Sequence, residues 1–213
     1  VAVLGADFDP EVVTVPEAVA GTPVTASWTV TNRFAAIDGG KLTGGPLGSS
    51  LSARPTIAEG EARTTTVEVP EGATSLDVAI GGVSDAAADL DLAVYDADGD
   101  LLAQSADGDS EESVSVPDPA AGTYTVEVYG YAVPAGSTEY DYRDVYFAAT
   151  LGAVEVDGAP VSLGAGASAT VSGRVTALAA APEGREFFGR VQLVDARGTV
   201  AGTGSVAIVK VVP

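Results

Sequence analysis

The densest set of potential ligands in the 213-residue sequence is the run D-L-D-L-A-V-Y-D-A-D-G-D-L-L. Asp89 and Asp91 fall two residues apart, so a strand sets both carboxylates on one face, and Asp96, Asp98 and Asp100 crowd the turn that follows. Hard oxygen donors at this density suit calcium, which takes about six to eight of them. Asp96, Asp98 and Asp100 are therefore candidate metal ligands, and calcium is the candidate cofactor. The run is not an EF-hand, because its glycine falls too early and the twelfth position from Asp96 is Asp107 rather than glutamate. A simpler reading competes: a hairpin turn in which Asp and Gly satisfy the backbone, with Asp89 and Asp91 capping or solvating the strand.

Asp107, Asp109, Glu111 and Glu112 form a second acidic group in D-G-D-S-E-E. Runs of charge face water, and a solvated loop accounts for them. They add ligands only if the turn near Asp98 folds toward them.

Six of the seven tyrosines lie between residues 124 and 146. In G-T-Y-T-V-E-V-Y-G-Y, period two puts Tyr124, Val126 and Val128 on one face and Thr125, Glu127, Tyr129 and Tyr131 on the other. Tyr124 reads as core. Tyr129, Tyr131, Tyr140 and Tyr142 are a candidate aromatic surface for stacking on sugar rings or extended polypeptide, against the plainer reading of cross-strand pairing in a hairpin. A binding surface requires at least three of the four to be exposed and coplanar. Trp28, the single tryptophan, sits on the apolar side of its strand and reads as a core anchor.

Other chemistry is excluded by what the sequence lacks. With no histidine there is no general base of the usual kind, no Ser-His-Asp relay and no common zinc ligand. With no cysteine there is neither a disulfide framework nor a thiolate site. Paired carboxylates could still hydrolyse glycosides, but only from a cleft that holds two of them about 5 to 10 Å apart. No catalytic residue is assigned. Thirty acidic residues against ten basic ones give a formal charge of −20. That balance disfavours nucleic acid and anionic membrane surfaces as partners and favours cations. No apolar run approaches a membrane span, and V-A-V-L-G-A-D-F-D-P-E-V-V is not a signal peptide, so the sequence reads as starting within a protein or after processing.

The elements that must position these groups are strands. Hydrophobic residues make up 46% of the chain and mean hydropathy is +0.25, so a packed core is expected rather than disorder. In T-P-V-T-A-S-W-T-V-T-N, Val24, Ala26, Trp28 and Val30 alternate with Thr and Ser, a half-buried strand. Ahead of it, Val12–Val15 reads as a shorter strand that completes a β-hairpin. Residues 38–50, rich in Gly, Ser and Pro, read as a linker or long loop. Then come A-R-T-T-T-V-E-V-P, T-S-L-D-V-A-I-G-G, the Asp-rich run, E-E-S-V-S-V-P-D-P, G-T-Y-T-V-E-V-Y-G-Y and D-Y-R-D-V-Y-F-A-A-T, separated by turns as in an antiparallel sandwich. From about Gly152 the first style returns, with Val171, Gly173, Val175 and Ala177 alternating against polar neighbours.

Neither end has strands enough for a core of its own, whereas together they match the size of an immunoglobulin-like sandwich. The expected layout is all-β: residues 1–43 and 150–213 as two parts of one immunoglobulin-like sandwich, with 44–149 inserted between them. Three domains in series is the competing layout.

The middle segment resembles the bacterial pre-peptidase C-terminal domain over about residues 55–149. The resemblance rests on D-L-D-L-A-V-Y-D, the D-G turn, P-A-A-G-T-Y-T-V-E-V and the closing D-V-Y-F-A-A-T, in that order. The flanks, V-T-A-S-W-T-V-T-N-R-F and P-E-G-R-E-F-F-G-R-V-Q-L-V, look like the immunoglobulin- or fibronectin-like domains that trail actinobacterial-type subtilisin-like proteases. The resemblance implies a jelly-roll or sandwich domain in a secreted, extracellular protein, with an upstream catalytic domain of the same polypeptide as partner. None of the protease's catalytic motifs occurs in this sequence. The expected role is a non-catalytic accessory and stabilising region of an extracellular subtilisin-like serine protease. The alternative is a binding module for polysaccharide or fibrous protein that uses the tyrosine surface.

Overall fold

The computed structural model describes residues 5–213. The chain divides into two compact units: an outer one that joins the segment up to Ser49 to Ala149–Pro213, and an inserted one, Ser50–Ala148. Nearly all regular structure is β; the exception is one 3₁₀ turn, Ala149–Leu151, and there is no α-helix among the described residues. Among the described residues, no helix is long and apolar enough to cross a membrane.

In the outer unit, strand Val24–Asn32 lies between Ala6–Asp9 and Ser168–Ala177, and the latter also pairs with Gly152–Val156, all antiparallel. A second group places Glu186–Val194 between Ile37–Thr43 and Val200–Ile208, with Pro160–Leu163 on the far side of Ile37–Thr43. Period-two alternation sends one row from each strand inward: Ala26, Trp28 and Val30; Val171, Val175 and Ala177; Val191 and Leu193; Val206 and Ile208. Trp28 is 1% exposed, meets Phe8 edge-on with ring centroids 6.4 Å apart, and donates its indole N–H to the Ser205 carbonyl at 3.3 Å. An indole that buries its body and still satisfies its N–H is the core anchor its pattern implies.

Two expectations fail here. Val12–Val15 forms no hairpin with Val24–Asn32; it pairs in parallel with Val200–Ile208, Val12 opposite Ser205. The partner of Val24–Asn32 on that side is Ala6–Asp9 instead. Residues 38–50 are not a linker either. Ile37–Thr43 is a strand, and Leu47 and Ser49 are fully buried. The glycines there serve close packing: a Cβ on Gly44 would lie 2.0 Å from the Val154 carbonyl oxygen, and one on Gly40 would lie 3.0 Å from that of Val161.

The inserted unit has a four-stranded antiparallel sheet in the order Leu101–Ser105, Asp89–Tyr95, Gly122–Ala132, Ala62–Val69. A second set holds Ala73–Gly81 between Ser113–Pro117 and Asp141–Ala148. Leu90, Leu92, Val94, Val126 and Val128 of the first, and Leu76, Val78 and Ile80 of the second, are buried.

Candidate functional site

The two Asp-rich segments flank strand Leu101–Ser105, and they are built differently. In the first, Asp96 Oδ1 accepts the backbone N–H groups of Asp98 at 3.0 Å and Asp100 at 2.9 Å, Asp96 N–H donates to the Asp100 carbonyl, and Gly99 takes φ +86°. This is a hairpin turn closed by an aspartate side chain. The outer unit repeats it. Asp195 Oδ1 accepts from Arg197 N–H at 2.9 Å and Thr199 N–H at 2.8 Å, Asp195 N–H donates to the Thr199 carbonyl, and Gly198 has φ +84°. Arg197 and Thr199 stand where Asp98 and Asp100 stand, so the turn needs neither of those carboxylates. Asp98 and Asp100 are exposed. The candidate ligands Asp96, Asp98 and Asp100 therefore lie in a turn closed by the Asp96 side chain and the backbone.

The second segment gathers carboxylates. One oxygen from each of Asp107, Asp109 and Glu112 lies within 4.8 Å of the others. Glu112 is only 2% exposed; one of its oxygens accepts Asp107 N–H at 3.0 Å and the other meets the Ser105 hydroxyl. Asp107 and Asp109 cap successive turns by accepting the N–H groups of Asp109 and Glu111. The loop is fastened to the start of the Asp89–Tyr95 strand, where Leu90 N–H donates to the Asp109 carbonyl and the Ser110 hydroxyl to that of Ala88. On that strand, Asp89 Oδ1 is buried without a hydrogen-bond partner. Burial, then the charges of Asp89 and Glu112, push the Asp91 carboxyl above the ordinary aspartate range. Asp107, Asp109 and Glu112 are thus the carboxylates that could hold a hard cation. As a run of charge, Asp107, Asp109, Glu111 and Glu112 are expected to form a solvated loop unless the turn near Asp98 folds toward them; Glu112 is instead buried.

The tyrosine surface is not assembled. Tyr129 and Tyr131 point outward, 38% and 65% exposed, as alternation requires. Tyr140 and Tyr142 are 2% and 4% exposed. Tyr142 belongs to strand Asp141–Ala148, opposite Ile80, and donates its hydroxyl to buried Asp144 at 3.0 Å. The P-A-G-S-T-E-Y-D-Y-R-D stretch contains the strand Ser137–Glu139 and the start of Asp141–Ala148. Two of the four tyrosines are thereby lost to the interior.

Two open clefts occur in the outer unit. One, about 420 Å³, is lined by Leu42, Asp157, Val161 and Val171 among others; the other, about 570 Å³, is lined by Glu155, Asp157 and Arg174 among others. Glu155 is ion-paired with Arg174 at 3.6 Å.

One feature escaped the sequence reading although it is visible there. Between Arg63 and Arg143 there is no lysine or arginine, while seventeen acidic residues fall in that interval. The inserted unit carries twenty acidic residues against three basic ones, a formal −17; the outer unit carries ten against seven, −3.

Residues 61–130 match the bacterial pre-peptidase C-terminal domain family. The matched span includes D-L-D-L-A-V-Y-D, the D-G turn and P-A-A-G-T-Y-T-V-E-V, carried largely by the paired strands Asp89–Tyr95 and Gly122–Ala132, and stops short of D-V-Y-F-A-A-T. The inserted unit contains a pre-peptidase C-terminal-like domain. No curated protein matches the sequence. Among solved structures, the periplasmic g-type lysozyme inhibitor PliG of Aeromonas hydrophila is 15% identical with a TM-score of 0.34, over 63% of this chain and 96% of its own. The propeptide form of the Bacillus licheniformis lipase BlEst2 is 11% identical, TM-score 0.34, over 74% and 40%. The M60 catalytic domain with CBM51 domains of Clostridium perfringens ZmpB is 12% identical, TM-score 0.37, over 91% and 27%. This chain therefore spans less than half the length of the last two.

Proposed function

We propose that the chain is a non-catalytic accessory and stabilising region of an extracellular subtilisin-like serine protease, working beside a catalytic domain of the same polypeptide. The observation that carries this reading is the pre-peptidase C-terminal match over residues 61–130. The sequence agrees with it, since no histidine is present to serve a serine nucleophile. A polysaccharide- or fibrous-protein-binding surface needs at least three of Tyr129, Tyr131, Tyr140 and Tyr142 exposed, and Tyr140 and Tyr142 are interior. The acidic surface of the inserted unit also suits a role away from nucleic acid and anionic membranes.

The test is deletion of this region from the full-length gene product. The expected result is a kcat/KM on a short chromogenic peptide within about twofold of the intact enzyme, with a shorter half-life at elevated temperature. Peptide hydrolysis by the isolated chain, or loss of peptide turnover on deletion, would overturn the proposal.

A further inference from the structure

Strand Leu101–Ser105 ends its sheet, and although Ser113–Pro117 of the other sheet comes near it, no strand pairs with its outer side among the described residues. An end strand offers unpaired backbone groups, which proteins normally blunt with charge, proline or a short length. Two other end strands of the inserted unit follow that rule. Ala62–Val69 carries Arg63 and Glu68 among threonines, and Ser113–Pro117 carries serines and ends on a proline that cannot donate. Leu101–Ser105 has neither charge nor proline, and it opens with two exposed leucines, Leu101 at 52% and Leu102 at 44%. Apolar side chains on an open edge are the features that invite strand addition.

The surroundings select the occupant. Exposed Asp98 and Asp100 precede the strand, exposed Asp107, Asp109 and Glu111 follow it, and no basic residue lies between positions 64 and 142. A second copy would bring two units of formal charge −17 edge to edge, so the acidic flanks act against self-pairing. The same flanks attract lysine and arginine.

We infer that the outer edge of Leu101–Ser105 takes up an extended polypeptide segment as an added strand, one with a short apolar centre flanked by lysine or arginine. Backbone hydrogen bonds supply affinity, Leu101 and Leu102 cover the apolar centre, and the two acidic turns hold the basic ends. The inference stands independently of the protease reading, because it uses only this edge and its charges.

Fluorescence anisotropy of the full chain with a labelled Lys-Lys-Val-Thr-Val-Thr-Val-Lys-Lys peptide tests it. Saturable binding is expected, weakened as salt rises from about 50 to 500 mM. L101T/L102T, which leaves charge and strand propensity in place, should weaken binding about tenfold, as should N-methylation of alternate peptide amides or glutamine in place of the lysines. The melting midpoint of L101T/L102T, whose side chains are exposed, should match the parent and so exclude misfolding. The inference is overturned by no binding, or by equal affinity for any of the three altered partners. Concentration-dependent dimers of the parent chain that L101T/L102T abolishes would overturn it too, since the edge would then belong to a second copy.

Discussion

The turns at Asp96–Asp100 and Asp195–Thr199 share one hydrogen-bond pattern in different electrostatic settings. The first sits in a unit of formal charge −17, with acids at both exposed positions; the second sits in a unit of −3, with arginine and threonine at those positions. The shared pattern shows which residues make the turn: the leading aspartate and the glycine. The acids that differ between them are surplus to folding and contribute to the field of the inserted unit. The same contrast separates what holds each unit together. Both units bury apolar rows, the outer one around Trp28 and the inserted one around Leu76, Leu90, Leu92 and Val126, but the inserted unit must also accommodate its like charges, down to a buried, unpartnered oxygen on Asp89.

The largest expected effect tests the core side of this contrast. Trp28→Ala should lower the unfolding free energy of the outer unit by about 3–5 kcal/mol, read by chemical denaturation, because it removes a fully buried indole. Next, Gly99→Ala and Gly198→Ala should each cost about 1–2 kcal/mol and cost the same. Both glycines have positive φ and nothing within 4 Å of an added Cβ, so backbone strain alone is measured. Unequal costs would break the equivalence of the turns.

A smaller effect separates two aspartates by sign. The Asp91 carboxyl is held above its ordinary range in the folded state, first by burial, so its contribution is present at low pH and lost as pH rises through the folded value. Asp91→Asn should therefore raise the melting midpoint at pH 7, and the gain should vanish as pH falls below the ordinary aspartate range. Asp195 is held below its ordinary range, first by the Thr199 backbone N–H, so its contribution is present at neutral pH and lost in acid. Asp195→Ala should lower the midpoint at pH 7, with the deficit closing as pH falls through the depressed value. Matching pH profiles for the two variants would dissolve the distinction.

The smallest effect is expected from Asp98→Asn/Asp100→Asn, within about 0.5 kcal/mol of the parent with calcium or with chelator. A calcium-dependent loss of stability in this variant would place a metal at the 96–100 turn.

Much of this was readable from local pattern. Alternation alone placed Trp28 and Val30 inward, put Tyr124 in the core with Tyr129 outside, and defined the β-strands of the inserted unit, because a period of two in side-chain direction follows from backbone geometry. The absence of histidine and cysteine settled which chemistries were closed. Tertiary structure decided whatever depended on partners distant in sequence. Val12–Val15 found a parallel neighbour near the C-terminus, since strand pairing is a long-range choice that local composition does not encode. Gly40 and Gly44 turned out to be points of close backbone approach rather than flexibility, because a glycine's meaning depends on what lies opposite it. Tyr142 was drawn inside by its register with Ile80. Of the two acidic segments, only folding distinguished them: the D-A-D-G-D run closes on its own amides, while Asp107, Asp109 and Glu112 converge because their loop is tied across to Ala88 and Leu90.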